Sequence, residues 1–151
     1  MHTSSIAIVV TVLAAGATAA SEKTDVMVPV RQFVEGFNKH DAKMAVAACA
    51  EQTSIIDDLP PHEWHGVGAC SKWMNDFDAD AKKNEITEAV VALSKPRHID
   101  ITADHAYVVA SANYTFKEKG KPNEETGSII TMALQKGETG WQITGWAWAK
   151  R

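Results

Sequence analysis

The chain has 151 residues, 45% of them hydrophobic and 23% charged. That fits one domain with one sizeable core and excludes disorder, a coiled coil, a collagen-like repeat and a polytopic membrane protein. Fifteen Lys and Arg against nineteen Asp and Glu give a net charge of -4, and with no basic cluster neither nucleic acid nor an anionic membrane surface is an expected partner.

Ile6 to Ala15 is an apolar run of ten residues, too short to cross a hydrocarbon layer of about 30 Å as a helix. Small residues follow, and Ala17-Thr18-Ala19 has the A-x-A form of a cleavage site. Residues 1–19 are therefore expected to be a signal peptide cut after Ala19, leaving a single mature domain of residues 20–151 that is secreted or periplasmic. No Cys stands beside the cleavage site to carry a lipid, so no membrane anchor is expected. Cys49 and Cys70 lie 21 positions apart. In an oxidising compartment they are either a disulfide, worth roughly 3 kcal/mol in chain entropy, or two small buried core residues.

Val26, Val30, Phe33, Val34 and Phe37 recur at i, i+4, i+7, i+8 and i+11, the stripe of a first helix whose first turn holds Pro29. Asn38-Lys39-His40 breaks it. Asp41 then caps a short second helix running to about Ala50, and the two form a hairpin. Thr53 to Asp57 reads as a brief strand ended by Pro60-Pro61, which cannot donate to a ladder. After Gly66 and Gly68, the spacing of Cys70, Trp73, Met74, Phe77 and Ala81 predicts a third helix ending near Asn84.

From there the period changes to two. Ile86 to Leu93, continuing past Pro96 to about Ile101, reads as one long interrupted strand. After a turn at Asp104-His105, Val108, Ala110, Ala112, Tyr114 and Phe116 alternate with Ser111, Asn113 and Thr115. A loop from Lys119 to Asn123, a strand from Thr126 to Gln135, a Gly137-Glu138-Thr139-Gly140 turn and a strand from Trp141 to Ala149 complete an antiparallel meander. Three helices followed by strands is an α+β plan: a cone-shaped, curved antiparallel sheet covered by three N-terminal helices, with a tapering cavity between them. Phe33, Phe37, Trp64 and Trp73 are expected to line that cavity, together with Met74, Phe77 and Trp146.

This order of elements resembles the nuclear-transport-factor-2-like superfamily, which includes ketosteroid isomerase, scytalone dehydratase, limonene epoxide hydrolase and the SnoaL-like polyketide cyclases. The resemblance is carried by Phe37-Asn38-Lys39-His40-Asp41 at the helix break, the Ser54-Ile55-Ile56-Asp57 strand, His65-Gly66 before the third helix and Gly140-Trp141-Gln142-Ile143. It covers residues 25–149 and implies a cystatin-like roll, often homodimeric. Aligned with ketosteroid isomerase, Asp57 falls where that enzyme keeps its general-base aspartate. A carboxylate facing an apolar cavity would have its pKa raised by desolvation and would be able to shuttle a proton. The isomerase also needs two oxyanion donors, a tyrosine and a protonated aspartate. Phe33 stands at the first of these positions and Thr131 near the second. Losing one such donor typically costs about 100- to 1000-fold in rate, so steroid isomerisation is not expected, and the hydroxyls of Thr131 and Tyr114 are the remaining candidates.

Asp57-Asp58 with His62, Glu63 and His65 suggests a metal, but His62-Glu63-Trp64-His65 is one residue short of H-E-x-x-H and follows two prolines. No metal is therefore assigned, and the segment reads as a cavity lip with Trp64 packed into it. Alternation places Trp146 on one face with Thr144 and Trp148, and Trp141 on the other. The chain has no G-x-G-x-x-G, P-loop or four-ligand Cys/His set, so no cofactor is expected. The expected function is binding of a small apolar or amphipathic molecule, with Asp57 transferring a proton in a cofactor-free isomerisation, dehydration or cyclisation. The competing expectation is a non-catalytic binding module, or an assembly module whose outer sheet face, including Ser111, Asn113 and Thr115, pairs with a second copy.

Overall fold

Val26, Val30, Phe33, Val34 and Phe37 form one buried stripe in the computed structural model, which describes residues 14–151. They lie on α1 (Ala14–Asn38). Most of the apolar run beginning at Ile6 falls outside the described residues. Because α1 begins at Ala14 and runs across Ala19, Pro29 sits in the helix interior and not in its first turn. The helix closes where Lys39, His40 and Asp41 donate to the carbonyls of Glu35, Phe37 and Gly36, with His40 in the left-handed region at φ 55°. Asp41 caps α2 (Ala42–Ala47) by accepting the Met44 N–H at 2.9 Å. This helix ends before the expected Ala50, because Ile143 donates to the Ala48 carbonyl and Cys49 already pairs with Ile143 as part of β1 (Cys49–Ile56).

The segment expected to be a cavity lip is a strand, β2 (Glu63–Val67), antiparallel to β1 with Ile55 opposite Trp64. Gly68, at φ 74°, turns the chain into α3 (Ala69–Lys83). Cys70 in its first turn is disulfide-bonded to Cys49 at the start of β1, with Cα atoms 6.5 Å apart. The stretch read as one interrupted strand is two, β3 (Ile86–Leu93) and β4 (His98–Thr102), pairing with successive parts of β5 (His105–Glu118). Between them Ser94 and Arg97 still donate to β5 carbonyls. The expected loop at Lys119 to Asn123 shrinks to Lys119-Gly120, because β6 (Lys121–Gly137) pairs with β5 from Glu118 opposite Lys121 onward. β7 (Gly140–Ala149) completes the hairpin.

The strand order is β2-β1-β7-β6-β5-β3, with β4 also on β5. The meander is antiparallel as expected, but β1 lies parallel to β7, so the curved sheet is mixed. Val108, Ala110 and Ala112 face the helices and are 2%, 0% and 0% exposed.

A register shift in the β6–β7 pairing corrects the reading of the last strand. Leu134 opposes Ile143, whereas Ala133 opposes Gly145, leaving Thr144 as an extra residue. The bulge resets the alternation, so Trp141 and Ile143 join Trp146 in the core instead of pointing the other way.

Two elements of this frame are open to direct test. A Cβ on Gly36 would lie 2.4 Å from the Ala45 backbone nitrogen, so Gly36→Ala should force the α1–α2 hairpin apart and cost about 1–3 kcal/mol in urea unfolding. Replacing Cys49 and Cys70 together by Ala should cost about 3 kcal/mol, and unfolding of the native protein should become sensitive to reductant by the same amount.

Candidate functional site

Helix spacing places Phe33 and Phe37 one turn apart on α1, and Trp73 and Phe77 one turn apart on α3. The inward positions of the sheet add Tyr114 and Phe116 from β5, Ile130 from β6, and Trp146 and Trp148 from β7. Together they enclose a cavity of about 250 Å³. Its wall is a ring-to-ring network: Trp73 meets Trp146 edge-on at 4.8 Å, Phe37 meets Phe77 at 4.8 Å, and Tyr114 stacks on Phe116 at 4.7 Å.

Five charged side chains share this cavity: Asp57, Asp58, Asp80, Glu125 and Lys150. Lys150 Nζ lies 3.1 Å from both Asp58 Oδ2 and Glu125 Oε2, joining the β1–β2 turn to β6. Glu125 is also held by Trp148, whose Nε1–H donates to Oε1 at 2.9 Å, and by the Ser128 hydroxyl. Asp57 stands apart from this bridge. Its Oδ2 accepts the Trp73 Nε1–H at 2.7 Å and its Oδ1 the Leu59 N–H at 3.3 Å.

Burial against the aromatic wall pushes the Asp57 carboxyl up to about 7, with a further rise from its hydrogen bond to Asp58, and both outweigh the Trp73 and Leu59 donors. For Asp58, burial works against ionisation, but Asp57's hydrogen bond and Lys150 prevail and hold it below the usual carboxylate range. Burial and the nearby Glu125 charge raise Tyr114, keeping its hydroxyl protonated. The result is two adjacent carboxyls whose surroundings drive their proton affinities apart, one an anchored anion and the other a group able to exchange a proton near neutrality.

Of the residues expected here, Asp57, Tyr114, Phe33, Phe37, Trp73, Phe77 and Trp146 line the cavity. Thr131 does not. It pairs with Val109 and Ala147 on the outer face, while its neighbours Ile130 and Met132 point inward at 5% and 1% exposure. Met74 is buried on the α3 stripe it shares with Cys70, which the disulfide ties to β1, so it packs beneath the cavity wall. Trp64 is likewise buried outside the cavity, its Nε1–H donated to Asp76 Oδ2 at 2.8 Å.

Asp80, Glu125, Trp148 and Lys150 were not anticipated as site residues, and Asp58 figured only in the metal spacing that was set aside. Trp148 carried a signal, the two-residue spacing from Trp146, and Asp80 another, its i+7 spacing from Trp73. Around the expected lip, His62 Nδ1 lies 3.2 Å from the Asp57 carbonyl and His65 lies between Glu63 and Ser54. Among the described residues no three His, Cys, Asp or Glu side chains gather into a metal-binding group.

A helix-covered, curved sheet closed around an aromatic cavity defines a cystatin-like, nuclear-transport-factor-2-like fold. The SnoaL-like domain model matches residues 26–147, and the chain belongs to that family. Among solved structures it is similar to a Mycobacterium tuberculosis protein of unknown function, at 12% identity over 92% of this chain and 77% of the other, with a TM-score of 0.75. It is also similar to a nuclear-transport-factor-2-like superfamily protein from Salmonella enterica serovar Typhimurium, at 16% identity, 87% and 92% coverage and a TM-score of 0.73. A ketosteroid isomerase-like protein from Erwinia carotovora atroseptica matches at 16% identity, 85% and 95% coverage and a TM-score of 0.67. At these identities the likeness concerns the fold. No curated protein sequence matches the chain.

The raised Asp57 carboxyl has a consequence for stability. The folded protein holds this proton up to about pH 7, whereas an unfolded aspartate releases it near 3.8. Unfolding therefore releases a proton in between, and stability falls as pH rises through that window. Asp57→Asn, which can still accept from Trp73, should remove this fall and stabilise the protein at pH 8 by up to about 4 kcal/mol, with little change at pH 4. Urea unfolding of both proteins across pH 4–8 measures it.

Proposed function

We propose that this SnoaL-like protein is exported, to the periplasm or the cell exterior, and binds one small apolar or amphipathic molecule in the aromatic cavity. Within that complex Asp57 moves a proton between two positions of the ligand without a cofactor, in an isomerisation, dehydration or cyclisation. The observation that carries the reading is a carboxyl with a proton affinity near neutrality on an otherwise aromatic wall, held in place by the Trp73 indole.

Steroid isomerisation stays outside the proposal, since Phe33 offers no donor and Thr131 faces away from the cavity. Export is supported by the apolar run from Ile6 with its Ala17-Thr18-Ala19 site and by the Cys49–Cys70 bond. No described helix is long and apolar enough to cross a membrane.

A second reading rests on the outer sheet face. There Val109, Ser111, Thr131 and Ala147 are only half-buried and Tyr107 is 47% exposed, a surface of small and apolar side chains suited to a second copy of the chain. In that reading the module binds or assembles without catalysis.

Mass spectrometry of the molecule that copurifies with the protein supplies the substrate for the decisive test. Asp57→Asn should lower its turnover by at least about 100-fold while leaving its dissociation constant within a few-fold. Because a general base works deprotonated, the wild-type rate should climb with pH through about 7 and then level off. An Asp57 that titrates as an ordinary surface carboxylate, with binding and no turnover in either protein, would favour the non-catalytic module.

A further inference from the structure

The cavity that the aromatic rings enclose is also acidic. Asp57, Asp58, Asp80 and Glu125 share it with one ammonium, that of Lys150, which is already engaged by Asp58 and Glu125. Asp57 and Asp80 are held by neutral donors instead: the Trp73 indole and the Leu59 N–H for Asp57, and the Asn84 amide at 2.9 Å for Asp80. The four carboxyls come from separate elements, the turn after β1, helix α3 and strand β6, yet all of them act on the Tyr114 hydroxyl. That hydroxyl oxygen is buried and meets no partner among the described residues, and neither does the Nε1–H of Trp146, which is 5% exposed and lines the same cavity. Polar groups left unpaired at a cavity wall mark it as incomplete without an occupant.

The balance of charge and of donors narrows what that occupant is. Acceptor sites on four carboxyls outnumber the N–H groups directed at them, so the wall is short of donors and of positive charge. An anion would meet repulsion. A hydroxyl supplies one donor and no charge, whereas a protonated amine supplies up to three donors and the charge. Taking such a cation out of water is costly unless paired charges and hydrogen bonds replace its hydration. Here the carboxyls and the Tyr114 oxygen are placed to do so, and the rings add to them. Trp73 and Trp146 stand edge to face at 4.8 Å and 90°, and Phe37 and Phe77 at 66°, so ring faces lie in several planes around the cavity. A desolvated cation is drawn to such faces, to indole most strongly. Trp73 and Trp148 each donate their N–H to a carboxyl, which polarises those rings further toward a negative face.

We infer that this cavity takes an organic cation, a protonated amine on an apolar body, with Asp57, Asp80 and the Tyr114 oxygen receiving the ammonium group and the indole faces of Trp73 and Trp146 covering it. The inference rests on the aromatic cavity being the ligand site proposed above. It names the chemical class that site takes and does not depend on turnover.

The test is calorimetric titration of the intact protein, at an ionic strength of about 0.15 M to screen its acidic surface, with four probes on one body: 2-methyl-1-phenylpropan-2-amine, the isosteric alcohol 2-methyl-1-phenylpropan-2-ol, the isosteric hydrocarbon neopentylbenzene and the anion 2,2-dimethyl-3-phenylpropanoate. At about pH 8 the amine, an ammonium at that pH, should bind about tenfold or more tighter than the alcohol and the hydrocarbon, and the anion should bind weakest. Asp80→Asn and Tyr114→Phe keep the shape of the wall. Each should weaken the amine about threefold or more while leaving the hydrocarbon within about twofold, and that unchanged affinity also reports that the cavity is intact. Asp57 adds a pH signature, because it holds its proton up to about 7 and a cation favours its ionised form. Asp58 on the same turn, Asp80 on α3, Tyr114 on β5, Glu125 on β6 and Lys150 past β7 share the cavity, to which α1 and β3 bring only apolar side chains. Of these, Asp58 is held below its usual range and Tyr114 and Lys150 above theirs, away from neutrality. Amine affinity should therefore climb by up to about tenfold between pH 6 and 8, hydrocarbon affinity should not, and Asp57→Asn should flatten the climb. An amine that binds no tighter than the alcohol or the hydrocarbon, a preference untouched by both wall variants, or one flat in pH overturns the cation assignment, while hydrocarbon binding leaves the cavity reading standing. Failure of all four probes to bind overturns the cavity reading itself, and this inference with it.

Discussion

The hydrogen bond from the Trp73 indole to Asp57 is the contact through which the helices and the sheet become one site. Helix α3 is fixed to β1 at two levels: covalently at its first turn, where Cys70 meets Cys49 at the strand's start, and through Trp73 just past the strand's end. The ties lie three residues apart in the first turns of the helix, and the Trp73–Phe77 stripe meets Phe33, Phe37 and Trp146. The N–H groups donated by Trp73 and Leu59 do not replace the hydration that a carboxylate loses at an aromatic wall, and desolvation dominates the balance at Asp57. The residue is thus oriented firmly and ionised reluctantly, the combination that a proton-transfer group needs.

Asp58 shows what the same side chain becomes one residue further on. It is half exposed and bridged by Lys150 to Glu125, so it is an anchored anion. Chemical type cannot separate two adjacent aspartates. Their separation comes from which faces the rings and which faces the C-terminal lysine.

Helices α1 and α3 were legible in the sequence because each carries an apolar stripe long enough to register a 3.6-residue period, whereas six-residue α2 was marked only by its Asp41 cap and so its end was misplaced. The meander was legible from its alternation. What failed did so where a single residue changes the phase or where the pairing partner lies far along the chain. Thr144 is a bulge, and one inserted residue inverted the expected direction of Trp141. Thr131 was placed by its alignment with the isomerase, while adjacent Ile129 and Ile130 hide which alternate set of that strand faces inward. Met74 and Trp64 were correctly expected to be buried, but burial does not distinguish the stripe facing a cavity from the stripe packed on a strand. Asp58 and Lys150 stand just past the ends of β1 and β7, with no period to announce them.

The parallel pairing of β1 and β7, the feature of topology least visible in the sequence, decides the chemistry at the cavity. Gly145 permits it: a Cβ there would lie 3.0 Å from the Ser54 carbonyl oxygen, so a side chain would press on the neighbouring backbone. With Ile55 beside Trp146 and Ile56 beside Ala147, both strands run the same way and leave the sheet at the same end. Asp57 and Asp58 therefore emerge alongside Trp148 and Lys150, within reach of the 3.1 Å bridge. An antiparallel pairing in this place would carry Lys150 to the far end of β1 and leave Asp58 without its cation. Asp58 would then have only its hydrogen bond with Asp57, and no cation, to favour its ionised form.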